Sequence, residues 1–126
     1  MYVADTHAWL YYILDKLPKT ADQAFKLAES GLEVILVPSI ALNECIWLIE
    51  RGKISIDYKE LFGKFDLSSN FIVFPLDLKV TKEVPYTKLG ELHDRIIVAT
   101  ANITGSTLIT KDSEIAESDI VKTIWK

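Results

Sequence analysis

Five short apolar runs alternate along this chain with longer segments of helical periodicity. The runs cover residues 2–5, 34–37, 71–74, 107–110 and 121–125. Apolar runs of this length, bounded by turn residues, predict buried strands. Their alternation with helices is typical of a parallel sheet that is covered on both faces. We therefore predict an α/β fold of three layers, α/β/α, with a central parallel sheet of about five strands.

The helical segments are predicted from apolar periodicity and from residues that start or stop helices. We expect them over residues 6–16, 21–30, 39–51, 57–65, 77–84, 94–103 and 113–117. Thr20 and Ser39 are predicted N-caps, because a hydroxyl can accept a backbone N–H there. Gly105 is predicted to end the helix before it. With no repeat and no long linker, residues 1–126 are expected to form a single domain.

Composition limits the classes of protein to which the chain can belong. Its hydrophobic content of 49% is enough for a core, and its only cysteine, Cys45, excludes an internal disulfide and suits a reducing cytoplasm. No apolar stretch reaches the length of a membrane span. We expect no signal peptide, since the start lacks a basic residue and Asp5 and His7 interrupt its apolar segment.

The net charge of −4 is not that of a protein that coats nucleic acid, which would be basic. The excess of acidic residues is four, and four acidic residues stand out for their position. An acidic total therefore does not exclude a nucleic-acid substrate, provided that metal ions neutralise the site.

These four residues are Asp5, Glu44, Asp94 and Asp112. Asp5 and Asp112 follow predicted strands, Asp94 opens an apolar helix, and Glu44 lies in the second turn of the helix after the second strand. Ligands of an open parallel sheet bind beyond the carboxyl ends of the strands, so all four side chains can reach one edge. Clustered carboxylates are oxygen ligands for a hard divalent cation.

Each acid also has an ordinary structural explanation. Asp5 and Asp112 can cap the helices that follow them, and Asp94 suits the dipole of a first helical turn. Glu44 is harder to explain, because an unpaired buried carboxylate is costly. The residues three and four positions from it are all apolar: Ile40, Ala41, Trp47 and Leu48. Taken together, the four acids favour a common site.

Four motifs in order carry a resemblance to a known family. They are Asp5-Thr6-His7-Ala8-Trp9, then Ser39 five residues before Glu44, then Asp94-Arg95-Ile96-Ile97-Val98-Ala99-Thr100-Ala101, then Leu108-Ile109-Thr110-Lys111-Asp112. In this order the chain resembles PIN-domain ribonucleases, and among them the small VapC-type toxins of toxin–antitoxin pairs. The resemblance spans nearly the whole chain, although residues 55–89 carry no motif.

The resemblance implies a PIN-like fold and an endoribonuclease that hydrolyses RNA phosphodiester bonds with Mg²⁺ or Mn²⁺. It implies that one acidic quartet is both catalytic and metal-binding: Asp5, Glu44, Asp94 and Asp112. Four further residues are expected to bind substrate: Thr6, Thr110, Arg95 and Lys111. It also implies a cytoplasmic protein with no membrane association, a homodimeric assembly, and a small antitoxin as partner.

An arginine or lysine of the antitoxin could enter the acidic pocket. Residues Trp9, Tyr12 and Ile13, or the helix from Ser39, could supply the surface that this partner covers.

Several nearby residues have simpler interpretations. Arg51, Lys53, Arg95 and Lys111 are candidate phosphate contacts, although each could be a solvated surface charge. His93 is predicted at the surface of a helix start, Cys45 as a core thiol and Trp47 as a core residue.

Two alternatives to the nuclease remain open. One is a non-catalytic PIN-like module that binds RNA or protein, against which the intact quartet argues. The other is an aspartate-based phosphotransfer domain. Its haloacid-dehalogenase form needs a second aspartate two residues after the first, where this chain has His7. A receiver domain would have adjacent acids near the first strand, and none is present.

Overall fold

The computed structural model describes all residues from Met1 to Lys126. The strands are β1 (Tyr2–Ala4), β2 (Ile35–Pro38), β3 (Phe71–Phe74), β4 (Thr107–Ile109) and β5 (Thr123–Ile124). The helices are α1 (Thr6–Ile13), α2 (Lys19–Glu29), α3 (Ser39–Glu50), α4 (Tyr58–Gly63), α5 (Leu78–Glu83), α6 (Leu92–Thr104) and α7 (Ser113–Glu117). Two 3₁₀ turns cover Lys64–Asp66 and Val84–Tyr86. The predicted alternation of strand and helix is confirmed.

The five strands form one parallel sheet in the order β3-β2-β1-β4-β5. The chain adds β2 and β3 on one side of β1, and then β4 and β5 on the other. The connection after β1 runs to β2 on one side, and the connection after β4 runs to β5 on the other side. Because these two connections leave in opposite directions, a crevice opens beyond the carboxyl ends of β1 and β4. The predicted parallel sheet of about five strands is confirmed.

Both faces of the central strands β1, β2 and β4 are buried, as the continuous apolar runs predict, whereas Ile72 and Val73 of the edge strand β3 are exposed. Ala4, Ile35, Val37 and Ile109 point into the larger core, which also holds residues of α1, α2 and α4. Val3, Leu36 and Leu108 point into the opposite core, which holds residues of α6 and α7. Helix α3 contributes to both cores, so it spans the edge where they meet.

Helix α1 faces the larger core rather than a partner surface. Trp9 is fully buried, stacks on Phe65 with ring centroids 4.7 Å apart, and donates its indole N–H to the carbonyl of Leu61 at 3.2 Å. Tyr12 is only 8% exposed. The prediction that Trp9 and Tyr12 offer a docking surface is therefore wrong, because packing against α2 and α4 already covers them.

Two predicted N-caps are also wrong, because a proline precedes each helix and sets its start. Helix α2 begins one residue before Thr20, after Pro18, and α3 begins at Ser39 itself. The Ser39 hydroxyl accepts the backbone N–H of Leu76 at 3.1 Å instead of capping α3. The end of α6 at Gly105 is confirmed, with a left-handed φ of 62°. No helix combines the length and the apolar character that crossing a bilayer requires.

Candidate functional site

The four acidic residues line one open cleft of about 470 Å³ at the carboxyl edge of the sheet. Asp5 follows β1, Asp112 follows β4, Glu44 projects from α3, and Asp94 projects from the first turn of α6. The cleft also takes in Thr6, His7, Trp47, Leu48, Glu91, Ile97, Lys111 and Ser113. The structure thus brings together the four acids that the sequence singles out.

Asp5 is the most enclosed of the four, with 9% of its surface exposed. It caps α1, since its Oδ1 accepts the N–H of Ala8 at 2.8 Å. Burial raises the pKa of Asp5 to about 6, while the hydroxyl of Thr110 and the N–H of Ala8 act in the opposite direction, and the neighbouring Asp112 and Glu44 add to the rise. A carboxylate there carries negative charge that its surroundings only partly compensate.

Glu44 is held from two sides. The hydroxyl of Thr6 donates to its Oε1 at 2.7 Å, and Nδ1 of His93 lies 3.2 Å from its Oε2. Its side chain is 24% exposed, so the apolar stripe on α3 does not bury it completely. Cys45, the next residue, points into the core as predicted and is fully buried.

Asp94 receives no hydrogen bond from any side chain or backbone group of the protein. Partial burial raises its pKa to about 6, and the nearby carboxylates of Glu91, Asp112, Glu44 and Asp5 raise it further. It is therefore a half-buried acid facing other acids, and a cation in the cleft would relieve that repulsion.

Asp112 caps α7, with its Oδ1 accepting the N–H groups of Glu114 at 2.8 Å and Ile115 at 3.2 Å. Its own N–H donates to the hydroxyl of Thr110 at 3.1 Å. The N-cap interpretation and the site interpretation are thus both compatible with Asp5 and Asp112. A carboxylate has two oxygens, so one can cap a helix while the other faces the cleft.

Two residues beside the quartet were not predicted. Nδ1 of His93 lies 3.0 Å from Oε1 of Glu91, as well as close to Glu44. Ligand atoms of Glu44, Glu91 and His93 all lie within 4.8 Å of one another, and no three members of the quartet form so tight a group. The sequence signal for Glu91 and His93 was only their place at the start of α6, three residues and one residue before Asp94.

The donor set fits a hard divalent cation. Five carboxylates line the cleft, and the only side-chain ion pairs made there are those of His93 with Glu44 and Glu91. No lysine or arginine is paired with any of them. Carboxylate oxygens of this kind are the ligands that Mg²⁺ and Mn²⁺ take in proteins.

The two cations predicted to bind substrate are placed differently. Lys111 lines the cleft, and its ammonium donates to the hydroxyl of Tyr11 at 2.9 Å. Arg95 turns away, because its guanidinium donates to the carbonyls of Thr87 at 3.0 Å and Val84 at 3.1 Å. We therefore correct the assignment of Arg95: it fastens the segment before α6 and does not line the cleft.

The two threonines expected to bind substrate are buried and already engaged. Thr6 is 6% exposed and its hydroxyl donates to Glu44. Thr110 is 2% exposed, its hydroxyl accepts the N–H of Asp112, and its presence lowers the pKa of Asp5. Their position suits orienting Glu44 and Asp5 rather than contacting a substrate directly.

Trp47 departs from its prediction as a core residue. Its side chain is 56% exposed and lines the cleft, because α3 turns this face outward at the rim. His7 also lines the cleft, where burial and the nearby Lys111 ammonium lower its pKa below the usual value.

Comparison with known proteins places this arrangement in a family. The model of the PIN domain family matches residues 2–120. No curated protein sequence matches the chain.

Several solved structures share the fold. VapBC2 from Rickettsia felis, bound to a DNA fragment from its promoter, is 18% identical, with a TM-score of 0.74 over 99% of this chain and 98% of that one. DNA-bound VapBC from Salmonella typhimurium is also 18% identical, with a TM-score of 0.72 over 98% and 96%. A toxin–antitoxin complex from Klebsiella pneumoniae is 21% identical, with a TM-score of 0.63 over 96% and 95%. At these identities the likeness establishes the fold alone.

Proposed function

Because this chain belongs to the PIN-domain family, we propose that it is a metal-dependent endoribonuclease that hydrolyses RNA phosphodiester bonds. The observation that carries the proposal is the convergence of Asp5, Glu44, Asp94 and Asp112 on one open cleft with no lysine or arginine paired to them. An open cleft of this kind admits a chain molecule from either side. We further propose that residues 1–126 act as a single PIN domain, which the continuous five-stranded sheet supports.

Asp5, Glu44, Asp94 and Asp112 would hold one or two Mg²⁺ or Mn²⁺ ions. When bound, the metal supplies Lewis-acid activation of water and neutralises charge that develops on the phosphodiester. Glu91 and His93 are placed to orient Glu44 from the other side of the cleft.

The remaining residues of the site would position the reacting groups. Thr6 donates to Glu44, and Asp5 and Asp112 each cap a helix, so three of the four acids are oriented before any substrate arrives. Such preorganisation lowers the cost of reaching the productive geometry. Lys111, the lysine at the rim, is suited to contact a phosphate of the substrate.

We also propose that the chain is the VapC-type toxin of a toxin–antitoxin pair, and that it works in the cytoplasm as a homodimer. Structures of VapBC and of a toxin–antitoxin complex share its fold over nearly its whole length, which supports this assignment. An arginine or lysine from a small antitoxin could pair with the unneutralised carboxylates and block the cleft.

The nuclease is tested by incubating the purified chain with single-stranded RNA and Mn²⁺ or Mg²⁺. Cleavage that stops in excess chelator and in Asp5→Asn is the expected result, with Asp57→Asn, an acid outside the cleft, as the matched control. Cleavage that persists in chelator would exclude the metal mechanism, and failure to cleave any RNA would favour a binding module.

The toxin assignment is tested separately by expressing the chain alone and together with the product of the adjacent gene. We expect growth arrest in the first case and its relief, with co-purification of a small protein, in the second. An active nuclease that neither slows growth nor captures a partner would exclude the toxin while leaving the nuclease intact.

A further inference from the structure

The acidic cleft continues past Glu44 into a second groove, also of about 470 Å³. The groove shares Glu44, Trp47 and Glu91 with the cleft. Its other lining residues are Ile40, Asn43 and His93. A strand of substrate that has a phosphate at the quartet can therefore extend directly into this groove.

Trp47 forms the aromatic surface between the two spaces. It lies three residues after Glu44, so the two side chains project from the same side of α3. More than half of the tryptophan is exposed, at 56%, while its helix neighbours Ala41, Leu42 and Cys45 are buried. A large flat ring left open next to a cleft offers a stacking surface for a planar ligand.

A cation without a carboxylate partner stands over the indole. The guanidinium carbon of Arg51 lies 4.7 Å from the ring centroid of Trp47, and Arg51 forms no ion pair. Lys111 is arranged in the same way, with its ammonium 4.8 Å from the ring of Tyr11. Lys111 lines the cleft, whereas Arg51 lines neither space and is placed beside them by its contact with the ring of Trp47.

We propose that Trp47 is the stacking platform for the nucleobase next to the scissile phosphate, and that Arg51 holds the indole and contacts the adjoining phosphate. The inference rests on the proposed ribonuclease function. An aromatic ring with a guanidinium beside it is suited to single-stranded nucleic acid, because the ring takes the base and the cation takes the backbone. A duplex would be excluded, since its bases are already stacked and paired.

The charge of Arg51 favours RNA over a protein at this surface. An arginine or lysine that a protein partner brought to Trp47 would be repelled by Arg51, whereas the carboxylates of the cleft itself would attract such a cation. A polyanion is attracted by Arg51 beside Trp47 and by Lys111 in the cleft and, with metal bound, is not repelled by the carboxylates.

The test is the kinetics of cleavage of a short single-stranded RNA in Mn²⁺. Trp47→Ala should raise KM by about 5- to 150-fold, the range expected for loss of one base–aromatic stack, with kcat nearly unchanged. Trp47→Phe should recover much of the loss because it keeps a stacking ring. Tyr58→Ala removes an aromatic residue that is 45% exposed outside the cleft and should leave both constants unchanged.

A substrate with one abasic nucleotide identifies the base involved. An abasic sugar at the stacked position should impair cleavage by the wild-type chain as much as Trp47→Ala does, and combining the two changes should cause no further loss. Additive losses at every abasic position would overturn the proposal, as would a KM for Trp47→Ala equal to that of the wild type.

Failure of stacking on Trp47 can be distinguished from failure of the proposed ribonuclease function. If the wild-type chain cleaves RNA and Trp47→Ala does so equally well, stacking on Trp47 is wrong and the nuclease stands. If Trp47→Ala abolishes capture of a protein partner without changing RNA cleavage, the surface belongs to that partner and the proposal is overturned. If the wild-type chain neither binds nor cleaves RNA with Mn²⁺, both are wrong.

Discussion

The hydroxyl of Thr6 donates a 2.7 Å hydrogen bond to Oε1 of Glu44, across 38 positions of the chain. This contact joins the start of α1, the helix that follows β1, to the second turn of α3, the helix that follows β2. It fixes one oxygen of Glu44, while the other lies toward His93. The geometry of the candidate site therefore depends on a buried threonine as well as on the acids.

Thr6→Val should disturb Glu44 without changing the size of residue 6. A hydrogen bond to a charged acceptor contributes about 1.5–3 kcal/mol, and partial exposure of Glu44 places the expected loss at the lower end. We expect a melting temperature several degrees lower and cleavage reduced by about tenfold. Thr6→Ser keeps the donor and serves as the control in thermal melts and cleavage assays. Equal behaviour of the two variants would contradict the orienting role.

Asp94→Asn should separate catalysis from stability. The change is nearly isosteric and removes a half-buried charge that no hydrogen bond compensates, so the metal-free protein should melt a few degrees higher near neutral pH. Cleavage should fall by orders of magnitude, and the rise in melting temperature caused by Mn²⁺ should shrink, since a metal ligand is lost. If the metal-free variant melted at a lower temperature than the metal-free wild type, the negative charge of Asp94 would have to be compensated by other groups in solution.

The stability of the metal-free protein should rise as the pH falls. The pKa of Asp5 and of Asp94 is about 6 in the folded chain, against 3.8 for an ordinary aspartate. Because the folded pKa is the higher one, their contribution to stability is fully present below 3.8 and is lost as the pH rises through about 6.

Thermal melts in chelator should therefore show a higher melting temperature near pH 5 than near pH 7.5. Saturating Mn²⁺ should weaken or reverse this trend, because the metal binds the ionised carboxylates. The double variant Asp5→Asn, Asp94→Asn should lose most of the dependence. A flat profile for the wild type in chelator would contradict the raised pKa values.

Arg95 and Lys111 should respond differently to salt. Lys111→Met removes a cation at the cleft and should lower the slope of log affinity for single-stranded RNA against log salt by about 0.7. Arg95→Met should leave that slope unchanged but lower the melting temperature, because two hydrogen bonds to the carbonyls of Val84 and Thr87 are lost. A reduced slope in Arg95→Met would return this residue to the substrate-binding set.

Local sequence patterns were sufficient for much of the fold. The bounds of β3 and α7 match their predictions to the residue, since Pro75 closes the strand and Asp112 opens the helix. The predicted N-cap roles of Thr20 and Ser39 failed, because Pro18 and Pro38 occupy the N-cap positions of α2 and α3. The N-cap position is decided by backbone geometry, which residue type alone does not specify.

The directions of helix side chains were the weakest predictions. Trp47 on α3 was assigned to the core, but it is exposed and lines the cleft. Arg95 on α6 was assigned to the cleft, but its guanidinium turns away from it. Both helices are apolar on more than one side, so periodicity does not determine which residue faces the sheet and which faces the rim.

From its sequence alone, this chain is determined to alternate strand and helix, and Asp5, Asp94 and Asp112 are determined to stand at element boundaries, because both follow from residues within a few positions of one another. Only the tertiary structure decided that the hydroxyl of Thr6 donates to Glu44 and that His93 lies between Glu44 and Glu91. These contacts depend on the order of the strands and on the rotation of α3 and α6 against the sheet. Both are set by packing between segments that are distant in the chain, which no local pattern records.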